Sequence, residues 1–133
     1  MATRVLLVQD STGHSTGYHV VARGLRDAGF EVILGGALVP REVAQLAAEE
    51  AVDAIGYRIM DAEPTILVEH LFTNLHRIGF ADVPVVVGGI VPDADLHRLE
   101  QLGAAAVFRP GATIEEIAAT FRTLTAAAPE RRG

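Results

Sequence analysis

Five short apolar runs alternate along the chain with segments of helical periodicity, and this alternation limits the fold more than any other feature of the sequence. The runs cover residues 4–8, 31–34, 54–57, 83–87 and 106–108. They lack the strict polar–apolar alternation of a strand exposed on one face, so they read as strands covered on both faces. Helices are predicted over 17–28, 40–50, 65–78, 92–102 and 113–127. Their inner stripes are read as Val20, Val21, Leu25 and Ala28 in the first helix, and Val43, Leu46 and Ala47 in the second. In the third the buried face is read as Ile66, Leu67, His70, Leu71, Asn74, Leu75 and Ile78. Local punctuation agrees with this division. Gly29 suits a helix C-terminus, Gly35-Gly36 breaks the second strand, and Pro40 suits a first helical turn. Thr113 with Glu116 three residues on reads as a capping box.

Five strand–helix units joined by short connections imply a parallel, right-handed, doubly wound sheet. The expected fold is α/β, flavodoxin-like, with five strands in the order 2-1-3-4-5. One domain is expected over residues 1–128, followed by a short basic tail at 129–133. Sheets of this kind bind ligands at the carboxyl ends of the strands where strand order reverses, here between strands one and three. Chemistry is therefore expected in three loops, at 9–16, 58–63 and 88–92.

Composition closes several alternatives. There is no cysteine, which removes thiolate catalysis and Cys-based metal sites. No lysine occurs, which removes Schiff-base chemistry and the phosphate-binding lysine of a P-loop. A receiver domain would also need a late lysine, and an aspartate after the third strand where this chain has Tyr57-Arg58. A net charge of −6 argues against a nucleic-acid partner. No apolar run approaches the ~18 residues of a membrane span, and no signal-peptide pattern opens the chain. A cytoplasmic protein is the expectation.

The most polar loop runs Gln9-Asp10-Ser11-Thr12-Gly13-His14-Ser15-Thr16-Gly17. His14 is the imidazole placed in a loop at the expected binding edge. It is a metal-ligand candidate with Thr12 or Asp10 as the oxygen that orients its ring, or a surface histidine in a polar turn, which is the reading the loop alone favours. The other histidines, His19, His70, His76 and His97, fall on helices without zinc-site spacing. Gly88-Gly89 offers bare backbone to a bulky ligand or simply ends a strand. Arg109, before Pro110-Gly111, is a cation at the same edge, suited to a phosphate or to solvent.

Taken together and in order, these segments resemble the cobalamin-binding domain of the methylmalonyl-CoA mutase family. The best-matching stretches are residues 22–33, 52–56 and 83–92, with Gly111 and residues 114–117 at the start of the last helix. In that family a loop motif Asp-x-His-x-x-Gly follows the first strand, and here Thr12-Gly13-His14-Ser15-Thr16-Gly17 stands in its place. The resemblance implies that His14 is the lower axial ligand to the cobalt of cobalamin, with Thr12 in the position of the orienting aspartate. A second motif, Ser-x-Leu, lines the pocket for the cofactor's nucleotide tail and corresponds to Arg58-Ile59-Met60. Methionine for leucine is a mild change of volume. Arginine for serine puts a long charged side chain where the family accommodates the tail, unless it points outward.

The cofactor-binding residues implied are thus Thr12, Gly13, His14, Ser15, Gly17, Arg58, Met60, Gly88, Gly89, Arg109 and Gly111. The implied cofactor is adenosylcobalamin. The implied role is a small subunit of an acyl-CoA mutase-like, carbon-skeleton isomerase system, without turnover alone. A large barrel subunit would bind substrate, and a homodimer is also compatible. The altered motif residues leave a second functional class open, a cobalamin-type domain that has lost its cofactor and serves as an interaction or regulatory subunit.

Overall fold

A computed structural model describes residues 2–13 and 15–126. The strands are β1 (Arg4–Gln9), β2 (Glu31–Ala37), β3 (Ala54–Ile59), β4 (Val85–Gly89) and β5 (Ala106–Phe108). They form one parallel sheet in the order β2-β1-β3-β4-β5, the order expected from the sequence. The helices are α1 (Ser15–Asp27), α2 (Pro40–Glu49), α3 (Pro64–Arg77), α4 (Leu96–Leu102) and α5 (Ile114–Leu124). One face of the sheet is covered by α1 and α5, through Tyr18, Ala22, Leu25, Ile117, Ala118 and Phe121. The other is covered by α2, α3 and α4, through Val43, Ala47, Val68, Leu71, Leu75 and Leu99. Burial on both faces is why the strands read as unbroken apolar runs.

Several boundaries and faces differ from the sequence expectation. Gly35-Gly36 does not end β2 but lies within it. Leu7 pairs with Leu34 and Val8 with Gly36, leaving Gly35 as a bulge. A Cβ at Gly35 would lie 2.7 Å from Val8 Cγ1, so only glycine fits against β1 there. Strand β3 runs two residues further than expected, which makes Arg58 and Ile59 strand residues.

On α1 the buried stripe is Tyr18, Ala22 and Leu25, while Val20 is 51% exposed. On α3 it is Pro64, Val68, Leu71 and Leu75, and Ile66, like Ile78 just past the helix end, faces solvent. A single 3-10 turn at Asp93–Asp95 precedes α4. The capping box at α5 is present, with Glu116 N–H donating to Thr113 Oγ1 at 3.1 Å and Thr113 N–H to Glu116 Oε2 at 3.4 Å. Position 127, where the last helix was expected to end, lies outside the described residues. Among the described residues no helix is long and apolar enough to cross a membrane.

Candidate functional site

The three loops expected to carry chemistry lie together at the carboxyl ends of β1, β3 and β4. The loop after β1 is tied to the loop after β3 by one side chain. Asp10 Oδ1 accepts the Met60 N–H at 2.9 Å, and Oδ2 accepts those of Asp61 and Ala62 at 2.8 and 2.7 Å. Burial of this carboxylate opposes its ionisation, but the backbone donors outweigh it and hold the Asp10 pKa below the ordinary value. Asp10, considered above as an orienting partner for His14, thus has both oxygens engaged by the β3–α3 loop.

Thr12 and Gly13 are exposed. The turn is closed by Ser15, whose Oγ donates to the Thr12 carbonyl at 2.6 Å and accepts from Gln9 Nε2 at 3.4 Å. His14, the predicted cobalt ligand, lies outside the described residues. Two buried oxygens at this edge, Gln9 Oε1 and Ser11 Oγ, make no hydrogen bond with the described residues.

Beneath this loop, between the sheet and the α1/α5 layer, lies a cavity of about 260 Å³. Strand register explains its floor. Leu7, Gly56 and Val86 are neighbours across β1, β3 and β4, and one pleat nearer the edge come Gln9, Arg58, Gly88 and Phe108. The two rows lie two residues apart on each strand and therefore face the same side. Helix α1 gives one wall with Gly17, Tyr18 and Val21. The other wall comes from Arg109, Pro110 and Ala112, then Ile117 and Phe121 of α5.

The glycines of this site have different jobs. A Cβ on Gly88 would meet nothing nearer than the Phe108 carbonyl at 3.8 Å, so Gly88 leaves open space on the floor. Gly89 has φ +110°, and a Cβ there would lie 2.1 Å from the Ile59 carbonyl oxygen. Its missing side chain serves strand packing, although its backbone lines the cavity. Gly111, at φ +104°, belongs to a turn closed by the Ala112 N–H on the Arg109 carbonyl at 3.3 Å. It is not among the residues lining the cavity.

Arg58 does not point outward. Its side chain lines the cavity, and its Nη2 lies 2.9 Å from where a Cβ on Gly17 would be. The guanidinium therefore rests on the bare backbone of the first turn of α1. Arg109 is ion-paired with Asp93 at the mouth. Tyr18 is a wall residue that the sequence stripe missed. Its hydroxyl donates to the Leu7 carbonyl at 2.7 Å and accepts the Gly36 N–H at 3.1 Å. Burial raises its pKa and the Gly36 bond only partly opposes that, so Tyr18 is neutral near pH 7. The helical spacing of Tyr18, Ala22 and Leu25 is the signal that would have found it.

Of the predicted site residues, the cavity brings together Gly17, Arg58, Met60, Gly88, Gly89 and Arg109. Thr12 and Gly13 lie in the loop above it, and Ser15 opens α1. Among its described lining residues there is no carboxylate, imidazole or serine. Chemically it is a slot for a flat or apolar group with cationic side chains at the rim.

The B12 binding domain family model matches residues 3–119. The chain is 36% identical over 126 residues to the 2-hydroxyisobutanoyl-CoA mutase small subunit of Aquincola tertiaricarbonis, covering 93% of each. It is 38% identical over 107 residues to the mitochondrial methylmalonyl-CoA mutase of Homo sapiens, covering 80% of this chain but only 14% of that one. Against the probable methylmalonyl-CoA mutase large subunit of Mycobacterium bovis it likewise spans 16% of the relative's length. A cobalamin-binding protein of Desulfitobacterium hafniense DCB-2 superimposes with a TM-score of 0.75 at 15% identity, over 92% of this chain and 58% of that one. The phosphoreceiver-containing C-terminus of E. coli RcsC gives 0.74 at 13%, over 98% and 49%. The latter two likenesses speak for the fold alone.

Proposed function

The chain belongs to the B12-binding domain family, and from that premise we propose that it binds cobalamin at the carboxyl edge of its sheet, with His14 as the lower axial ligand to cobalt. The observation that carries this is the glycine-floored apolar cavity opening directly below the loop that bears His14. The residues present fit the group. Gly88 leaves the space a bulky tail needs, Leu7, Val86, Phe108 and Phe121 give it apolar walls, and Gln9 Oε1 and Ser11 Oγ have no hydrogen-bond partner among the described residues.

Each part of the edge then has a task. Asp10 holds the β3 loop in place and Ser15 pins the turn before α1, and Thr12 would orient the imidazole by accepting its N–H through the hydroxyl. An uncharged acceptor polarises the ring less than a carboxylate does.

We further propose that the chain acts as the small subunit of an acyl-CoA mutase-like complex. Its match to a mutase small subunit over 93% of both chains supports this. A large subunit would hold the acyl-CoA. Val39, Ile66 and Ile90 are each more than half exposed at the cofactor edge and supply an apolar rim for such a partner. Bound adenosylcobalamin would supply the cobalt–carbon bond whose homolysis begins radical rearrangement.

The test is optical. Purified protein is mixed with hydroxocobalamin at tens of micromolar, free cofactor is removed, and the visible spectrum of the eluted protein is recorded. The expectation is co-elution with a spectrum that changes in His14→Ala. Absence of any corrinoid in the protein peak refutes the proposal and leaves a cofactor-less interaction domain. Co-elution with an unchanged His14→Ala spectrum refutes the ligand assignment alone.

A further inference from the structure

We infer that Arg58 makes this cavity selective for corrinoids that carry an anionic nucleotide tail, its guanidinium holding the tail's phosphate. The inference rests on the cobalamin proposal for the ligand and on the cavity for the chemistry.

Arg58 is the penultimate residue of β3, on the cavity side of the sheet between Gln9 on β1 and Gly88 on β4. A long cation there could obstruct the slot, but Gly17 prevents this. With no Cβ at position 17, the guanidinium lies against the first turn of α1, and the cavity bounded in part by Arg58 still measures about 260 Å³. The rest of the wall is dominated by apolar Leu7, Val86, Phe108 and Phe121, which lower the effective dielectric around the slot. A guanidinium so placed attracts an anion more strongly than one in open water, and its planar fork suits two phosphate oxygens at once. The amino-terminal turn of α1, on which it rests, adds a dipole of the same sign. The ligand class that satisfies both halves of the slot has a flat apolar group joined to a phosphodiester, which is the chemistry of a corrinoid nucleotide tail.

The experiment compares hydroxocobalamin with cobinamide, the corrinoid lacking the nucleotide loop, by absorbance titration of wild type, Arg58→Met and Arg58→Lys. Circular dichroism checks that each variant is folded. Wild type is expected to bind cobalamin at least ~10-fold more tightly than cobinamide. Arg58→Met should lose about 10-fold in cobalamin affinity, the scale of one charge-assisted hydrogen bond, with cobinamide binding unchanged. Arg58→Lys should fall between. Added salt should weaken cobalamin binding in wild type and hardly at all in Arg58→Met.

If Arg58→Met binds cobalamin as tightly as wild type, or more tightly, Arg58 is an obstruction and the inference is wrong. Equal wild-type affinity for the two corrinoids also overturns it, and needs no variant to fold. If wild type binds neither, the cobalamin proposal itself falls and takes this inference with it.

Discussion

Asp10 and the Gly88-Gly89 pair decide the shape of the site one residue at a time. The Asp10 carboxylate holds three backbone N–H groups of the β3–α3 loop, and its pKa is lowered in the folded state. A depressed carboxylate contributes stability that is present above its unfolded value, ~3.9, and is lost as pH falls through the lower folded value. Asp10→Ala is therefore expected to cost about 1–3 kcal/mol at pH 7. In urea melts the gap to wild type should narrow as pH falls below about 4; a gap constant down to the acid limit would contradict the assignment. The two glycines should respond oppositely to alanine. Gly89→Ala must place a Cβ on the Ile59 carbonyl at φ +110°, and is expected to destabilise by more than ~2 kcal/mol. Gly88→Ala meets nothing closer than 3.8 Å and should stay within ~1 kcal/mol of wild type while taking room from the cavity floor. The sequence marks this pair as backbone access for a ligand. It does not reveal that Gly89 is glycine for the sake of Ile59, because that contact depends on strand register.

At the scale of elements, α1 and α5 together wall the cavity and approach closely at one point. The contact is Gly24 against Ile114, where a Cβ on Gly24 would lie 2.3 Å from Ile114 Cγ2. Alanine is a better helix former than glycine by about 1 kcal/mol, but Ile114 is β-branched and cannot swing its methyl aside freely. Gly24→Ala should therefore destabilise the protein, and Gly24→Ala with Ile114→Ala should be less destabilised than the two single changes summed. A double-mutant cycle in urea checks this, and strict additivity would show that the helices do not meet there. The same layer explains which helical faces were legible. Strand order, the number of units and the α5 capping box follow from runs, spacing and Thr113–Glu116. The α1 stripe was misjudged because Val20 looks apolar and Tyr18 looks polar, whereas Tyr18 is the one that can satisfy its hydroxyl on Leu7 and Gly36. On α3, buried Pro64 sets the phase and turns Ile66 to solvent. Arg58 was visible as a departure from the family pattern, but its resting place depends on a glycine 41 positions away in sequence.

For the whole molecule, the site joins two layers, since its floor is the sheet and its walls are α1 and α5. An unfolded chain has no such cavity, so a ligand bound there stabilises the entire fold by mass action. At one hundred times the dissociation constant that amounts to about 2.7 kcal/mol. For a domain of this length it corresponds to a rise in Tm of roughly 10 °C. Hydroxocobalamin is expected to produce such a rise in wild type, followed by scanning calorimetry or circular dichroism. Gly88→Val, which fills the floor without meeting a close neighbour at its Cβ, should melt near the wild-type temperature without ligand and lose most of the rise with it. On the proposed ligand assignment, His14→Ala should likewise lose part of the rise. A full rise in Gly88→Val would place the tail outside this cavity, whereas a full rise in His14→Ala would leave the tail inside and the cobalt without this histidine. The two variants thus separate the loop's contribution from that of the cavity beneath it.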